Sequence, residues 1–404
     1  MNIVILTQVY FPDTVSVAQH LSDLCKHLVE RGHHVTVITS RVGYDSGEEF
    51  DSLEVDGNIT IKRVWQTKFG KKSLILRAVN FLTFNLSLMV AAFLLPKREV
   101  DCILGTTSPP FSAIVGIVLS KLKKAPYHFW VMDLQPELSI ASGVISEKSL
   151  LARIFTSLGN FTIRSSTGIF SLDRFMTGYL VSRGGDINRI SEIPVWPVSE
   201  SEYQGKRINN PFRVESGFGE KSVVMFSGNH AFVHPMDTLL DACKNLEENT
   251  DLLFAFVGGG VRREQVSQYK EKYMLENVLQ FPFQPRSTFH ISIAASDIQV
   301  VIMGDGQVGY THPNKIYGAM FLGKPILYIG PEDSHVSDIL NETKGNISVR
   351  HGEVKKLVSE LETFSRLDVA ETLRIGEENK RYAQAKFSPD VLIGKMVECI
   401  ESSS

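Results

Sequence analysis

Short apolar runs alternate with stretches of helical periodicity along almost the whole chain. Asn2–Leu6 reads as a buried strand. From Ser16 to Glu30 apolar residues recur at 17, 21, 24, 25 and 28, the spacing of one helix face, and Arg31-Gly32-His33 supplies a glycine stop. Val35–Thr39 is the next strand. Further strands follow at Ile59–Val64, Cys102–Gly105, Tyr127–Val131, Gly168–Phe170 and Ile190–Pro194. Helical stretches separate them at 75–95, after Pro109-Pro110, at Leu150–Arg164 and at Asp173–Arg183. Around 195–214 the alternation lapses into prolines, serines and charges. A second series then runs through strand Ser222–Phe226, helix Met236–Leu246, strand Leu252–Val257, helix Arg262–Tyr273, strand Val278–Phe281, helix Ser287–Ala295 and strand Ile298–Met303. Helices at about Asp368–Ala385 and Pro389–Glu401 close the chain. Such alternation implies parallel sheets covered by helices on both faces. The pattern predicts an α/β chain of two Rossmann-like domains facing across a cleft. Their bounds are 1–195 and 215–385, with a linker at 196–214 and a closing helix at 386–404. In such sheets the loops at the carboxyl ends of the strands hold ligands.

One stretch stands out within this layout. After the strand ending at Met303 come glycines at 304, 306 and 309, then Tyr310-Thr311-His312-Pro313-Asn314-Lys315. Proline suits a first helical position, and Thr311 or His312 suits a cap, so a helix is predicted to open at Pro313. Its free N–H groups and Lys315 predict an anion site over Gly309–Lys315. An ordinary proline-led helix accounts for the same residues when they are taken alone.

The apolar run Ile75–Leu95 is interrupted by Arg77, Asn80, Thr83, Asn85 and Ser87, which would be costly in lipid. It predicts a buried or half-buried helix. A second reading is an interfacial helix flanked by Lys68, Lys71, Lys72 and Arg77 before it and by Lys97 and Arg98 after it, with Lys121, Lys123 and Lys124 further on.

Composition narrows the function classes. With 404 residues, 43% of them hydrophobic, the chain has enough core for two domains. A net charge of −3 gives no global field to recruit nucleic acid. Four scattered cysteines predict buried thiols in a reducing cytosol, not disulfides or a metal site. The first strand begins at the initiator methionine, so no signal peptide is expected. The eleven histidines show no metal spacing and no Asp-x-Asp pair ends a strand, so no divalent metal is expected. A dehydrogenase is disfavoured because no G-x-G-x-x-G follows either domain's first strand.

Three groups of residues then carry a resemblance. Leu28-Val29-Glu30-Arg31-Gly32-His33-His34-Val35-Thr36-Val37-Ile38 forms the first helix–strand junction. Phe226-Ser227-Gly228-Asn229-His230 is followed by His234-Pro235-Met236-Asp237-Thr238-Leu239-Leu240. Gly318-Ala319-Met320 precedes Gly323-Lys324-Pro325-Ile326. In this order and spacing the chain resembles the retaining GT-B glycosyltransferases of family 4, which build bacterial surface polysaccharides, over nearly its whole length. It is similar to a branch of exopolysaccharide and lipopolysaccharide sugar transferases, and the resemblance implies that the closing helix at 386–404 crosses back to the first domain. Four positions depart from the family pattern. Tyr310 and Gly318 stand where the family has two glutamates, for the donor sugar and the ribose. Asn229 and His234 stand where it has an arginine and a lysine for the diphosphate.

The resemblance implies transfer of a sugar from a UDP- or GDP-sugar, as substrate and with no cofactor, to a glycan or lipid-linked acceptor, with retention of configuration. It places the enzyme in the cytoplasm, with peripheral contact at the inner membrane face. It puts the donor against Gly228, Asn229, His230, His234, Gly259, Phe283 and Gln284, and against Val308, Gly309, Tyr310, Thr311, His312, Pro313, Asn314 and Lys315. Phe283 suits a nucleobase wall or plain core. Asp133, after the strand Tyr127–Val131, would orient the acceptor or stabilise charge at the anomeric carbon; an Asx turn before Pro136 is the structural alternative. Acceptor-side candidates are Asp13, Thr14, Thr107, Ser108 and Glu137, with ordinary loop and N-cap roles open to the first four. Two rival functions share the layout: a sugar-nucleotide 2-epimerase, and a catalytically inactive partner subunit suggested by Tyr310 and Gly318.

Overall fold

The computed structural model of the protein describes residues 1–13, 15–44, 46–69, 74–109, 111–141, 143, 145–197, 203–285 and 287–403. The chain forms two compact units. Met1–Val198, Gly309–His312 and Pro389–Ser404 make the first; Ser199–Val308 and Pro313–Ser388 make the second.

Eight strands build the first unit: β1 (Asn2–Leu6), β2 (His34–Ser40), β3 (Leu53–Asp56), β4 (Ile59–Val64), β5 (Cys102–Thr106), β6 (Tyr127–Trp130), β7 (Gly168–Ser171) and β8 (Ile190–Glu192). They pair in the order β3-β4-β2-β1-β5-β6-β7-β8. All neighbours are parallel except β3 and β4, an antiparallel hairpin turned by Gly57. The alternation pattern gives no sign of β3, because all four of its residues are exposed. Ile3, Val4, Ile5 and Leu6 of the central β1 are wholly buried, which requires cover on both faces. The helices are α1 (Ser16–Glu30), α2 (Leu74–Phe93), α3 (Ser112–Lys123), α4 (Glu137–Ala141), α5 (Leu150–Ser165) and α6 (Arg174–Ser182). α2, α3 and α5 pack side by side, and the connections that carry them advance along the sheet opposite to that of α1.

The buried or half-buried helix expected at 75–95 is α2, and its burial is one-sided. Phe84, Leu88 and Ala92, one turn apart, are fully buried, whereas Leu82, Leu86 and Val90 are more than half exposed. Only one side of it meets the core; its exposed positions are apolar, with Arg77, Asn80, Thr83, Asn85 and Ser87 half-buried between the two sides. By length and composition it could cross a membrane.

The second unit has the Rossmann strand order. β9 (Ser222–Asn229), β10 (Leu252–Gly259), β11 (Val278–Phe281), β12 (Ile298–Ile302), β13 (Ile326–Ile329) and β14 (Ile347–Val349) form one parallel sheet, ordered β11-β10-β9-β12-β13-β14. Its helices are α7 (Pro211–Glu215), α8 (Asp237–Asn245), α9 (Arg263–Tyr273), α10 (Phe289–Ala294), α11 (Lys315–Phe321), α12 (His335–Asn341), α13 (Val354–Ser365) and α14 (Val369–Phe387). Residues 196–214, expected as a linker, are tied down at both ends. Trp196 is buried in the first unit. Arg207 and the buried Arg213 of α7 both bind the Asp297 carboxylate, at 2.5 and 3.2 Å, within the second.

The last helix, α15 (Pro389–Ser402), belongs to the first unit and packs on α1. It buries Leu392, Ile393, Met396, Val397 and Ile400. His33 Nε2 meets Glu401 Oε1 at 2.8 Å beside them.

Candidate functional site

In the second unit the order of connection reverses between β9 and β12, so the loops after these strands diverge and leave room for a ligand. Glycines crowd that end. Gly228 and Gly258 are register partners with φ of +122° and +131°, and a Cβ on Gly258 would lie 2.0 Å from the Gly228 carbonyl oxygen. Only glycine permits this approach. A Cβ at Gly228 would sit 3.7 Å from Lys315 Nζ, which the first residue of α11 sends across the strand end.

The Lys315 ammonium rests 3.5 Å from the centre of the Phe226 ring. It is enclosed and has no hydrogen-bond partner among the described residues. Burial pulls its pKa down to about 7. His230 lies beside the same ring, 5.1 Å between centroids, and neither ring nitrogen has a partner among the described residues. Burial first, and Lys315 second, hold its pKa at about 4. His234 Nδ1–H donates to the Ile302 carbonyl at 2.8 Å, which leaves Nε2 as the acceptor. Its pKa falls to about 3, again from burial and then from Lys315. Two guanidiniums complete the rim. Arg263 reaches the Gly258 carbonyl at 2.5 Å, and Arg262 the Phe232 carbonyl at 3.1 Å. Neutral imidazoles and an uncompensated cation in a low dielectric are complementary to a multi-oxygen anion.

Other expected donor residues fall around this centre. The exposed Phe283 ring covers Gly259, 2.9 Å from where a Cβ would stand. Gln284 is turned onto the Pro282 carbonyl at 3.1 Å. The expected helix start needs correction. α11 opens at Lys315, and the carbonyls of Pro313 and Asn314 accept the N–H groups of Ile316 and Tyr317 at 3.3 and 3.2 Å. The amides of Ile316 and Tyr317 are therefore taken up by a tight turn. At Gly318 an added Cβ would meet nothing within 4 Å, so the loss of a carboxylate there is not forced by packing.

Gly309, Tyr310, Thr311 and His312, expected beside the donor phosphate, belong to the first unit. Gly309 (φ +79°) passes 3.0 Å from the Phe175 carbonyl oxygen, measured from its would-be Cβ. The Tyr310 carbonyl accepts the Leu134 N–H at 2.9 Å, and its ring stands edge-on to Tyr179, 5.0 Å away. Thr311 Oγ1 donates to Asp133 Oδ1 at 3.1 Å. His312 Nδ1 pairs with Asp173 Oδ2 at 2.8 Å, both groups buried, while Asp173 Oδ1 caps α6. These four residues therefore brace the first unit's own loops.

The Asp133 side chain meets solvent and takes its bond from Thr311, not from its own loop. Protein crowded about it raises its carboxyl above the ordinary range, and Thr311 opposes this. Asp133 lies on a cavity of about 70 Å³, with Thr107, Glu137, Tyr179 and Arg183 among its other polar walls and Phe111, Ile114 and Phe155 among the apolar ones. Glu137 Oε1 is engaged by the Tyr179 hydroxyl at 2.5 Å and by Arg183 at 3.6 Å. Asp13 accepts the Tyr44 N–H at 2.8 Å, and the Ser108 carbonyl that of Gln8 at 3.0 Å; neither residue lines the cavity. Thr14 lies outside the described residues. Arg262, Arg263, Tyr179 and Arg183 escaped the sequence reading. The first two stand one residue beyond Gly258-Gly259-Gly260 at a strand end, which is a usable signal; the others are plain positions in or at the end of a helix.

Residues 16–196 match the family model described as a glycosyl transferase 4-like domain. The probable glycosyltransferase WbjE of Pseudomonas aeruginosa is 23% identical over 306 residues, 75% of each chain. The fold is similar to that of Anabaena Alr3699/HepE in complex with UDP and glucose, at 17% identity, a TM-score of 0.72 and full coverage of both chains. It is also similar to sucrose-phosphate synthase from Thermosynechococcus elongatus, at 13% identity and a TM-score of 0.79, over 100% of this chain and 99% of that one. The two parallel-sheet units are those of the GT-B fold.

Proposed function

We propose that this glycosyltransferase moves a sugar from a nucleotide-sugar donor to a glycan or lipid-linked acceptor, with retention of configuration, in surface polysaccharide synthesis. The observation that carries the donor reading is the enclosed Lys315 ammonium, without a partner among the described residues and beside His230, at the strand ends of a Rossmann sheet. A diphosphate supplies the charge that this lysine lacks, and its oxygens accept from Lys315 and from His230. Phe283 offers its exposed face to the base. The similar Anabaena protein holds UDP, which favours a uridine donor over a guanosine one. The acceptor is assigned to the cavity beside Asp133 in the first unit. As the glycosidic bond forms on the face the diphosphate leaves, the acceptor proton passes to the departing phosphate oxygen. Lys315 stabilises the charge that develops there. Four free thiols, three of them buried, fit a reducing cytoplasm, and fractionation that finds the protein elsewhere would remove that assignment.

Lys315→Ala is expected to cut turnover more than about 100-fold, or about 2.7 kcal/mol at the transition state. An unchanged rate in a sugar-transfer assay would sink the phosphate assignment. Fixed cations take the place of a divalent metal in this reading, so chelation with EDTA leaves the rate unaltered; loss of rate restored by magnesium would refute that part. Tyr310 and Gly318 favour a second reading, a silent partner subunit. It gains if no UDP-, GDP- or ADP-sugar raises the melting temperature.

A further inference from the structure

The helices α2, α3 and α5 lie side by side on one face of the first sheet, and together they contain no aspartate or glutamate. They hold 20, 12 and 16 residues, and an even spread of the chain's 45 acidic residues would place about five among them. Their outward faces are apolar as well. Leu82, Leu86 and Val90 of α2 are exposed; so are Val118 and Leu122 of α3, and Leu150, Ile154 and Phe161 of α5. The three sets meet. Lys123 of α3 donates to the carbonyls of Phe93 and Leu95 at the end of α2, at 3.2 and 2.6 Å. Lys121 of α3 stands 5.7 Å from the centre of the Phe161 ring on α5. Lys121, Lys124 and Arg153 are exposed among these apolar groups.

We infer that this three-helix face docks on an anionic lipid surface. Apolar side chains enter the headgroup–acyl boundary while long basic side chains reach the phosphates, and the missing carboxylates remove the repulsion that would oppose this. A second copy of the chain fits less well, because a two-fold interface would set each cluster of cations against its own image. The face keeps α2, Lys121 and Lys124 of the interfacial reading made from the sequence and adds α5, while the lysines before α2 take no part in it. Lys68 is paired with Glu49, and Lys71 and Lys72 lie outside the described residues. Docking does not depend on the sugar-transfer reading, since it needs neither donor nor acceptor.

Flotation of the full chain with vesicles tests it. Phosphatidylglycerol mixed into phosphatidylcholine carries the protein upward, and phosphatidylcholine alone carries at least about tenfold less. The double variant Lys121→Glu, Lys124→Glu lowers the anionic partition by about tenfold or more. The exposed changes Leu86→Glu and Leu122→Glu lower it similarly with the wild-type melting temperature retained. Hydrogen exchange gives a second readout: vesicles protect exposed backbone amides at the ends of α2, α3 and α5 and leave those of the second unit alone. Equal partition into both vesicle types, or partition untouched by all four substitutions, overturns the proposal. So does a chain that sediments as a dimer which Leu86→Glu converts to monomer, since the face then belongs to a second copy.

Discussion

Burial holds the Lys315 ammonium close to its point of deprotonation, and on the proposed donor assignment the consequence is a pH-dependent grip on nucleotide. Its ordinary value of 10.5 drops to about 7 because the enclosed site disfavours charge. An anion in contact restores the charge and raises the value again. Below about pH 7 the amine is already protonated and binding needs no proton; above it, each nucleotide bound draws one from solution. Affinity for UDP should therefore fall by up to about tenfold per pH unit above pH 7, until the bound-state value is reached. Lys315→Met should abolish that slope, and a Kd that stays flat between pH 7 and 9 in the wild type would contradict the assignment. The empty fold follows the same sign: between about 7 and 10.5 the unfolded chain holds the extra proton, so this group's contribution to stability rises with pH. The lysine was visible in the sequence because a strand, a glycine-rich loop and a proline-led turn converge on it. The roles of Thr311 and His312 were not, because their partners Asp133 and Asp173 lie more than 130 residues away. Local periodicity carries no trace of such pairings.

The elements were legible wherever burial was two-sided. Strands such as β1, β9 and β12 are continuous apolar runs, and burial on both faces makes them so. The exposed β3 leaves no such mark, and α12, β14 and α13 were passed over because their apolar runs are short and broken by serines, glycines and charges. Glycine reads more clearly in structure than in sequence. At Gly258 the backbone is left-handed and a carbonyl stands where a side chain would begin. Gly258→Ala should destabilise the second unit by about 3 kcal/mol or more, through backbone strain and the forced separation of β9 from β10. Urea unfolding would show it as a lower midpoint. By contrast, Gly318→Ala meets open space and should leave the midpoint close to wild type. Equal effects at the two sites would mean that the strand contact is not tight.

At the scale of the molecule, the first unit is assembled from three separate lengths of chain, and its last length is α15. Five of that helix's apolar residues are buried, each contributing roughly 1.5–3 kcal/mol, a sum comparable with the whole stability of an ordinary domain. Ending the chain at Ser388 should therefore leave the first unit unfolded or aggregating while the second keeps its cooperative transition. Calorimetry that finds both transitions intact would show α15 to be dispensable. The two-domain outline was readable from the alternating pattern, and the return of the closing helix was expected from the family likeness. The anchoring of 196–214 was hidden, since Arg207 and Arg213 look like solvated charge until Asp297 is found beneath them.

That closing helix also sets an order of events at the ribosome. The half of the protein made first waits with the α15-facing surface of α1 uncovered until translation reaches the far end. At about 5–20 residues per second, the 190 residues from Ser199 to Ser388 impose a delay of roughly ten to forty seconds. For that interval the nascent chain presents raw apolar surface to whatever chaperone stands at the exit tunnel, and the earliest part to emerge is the latest to be finished.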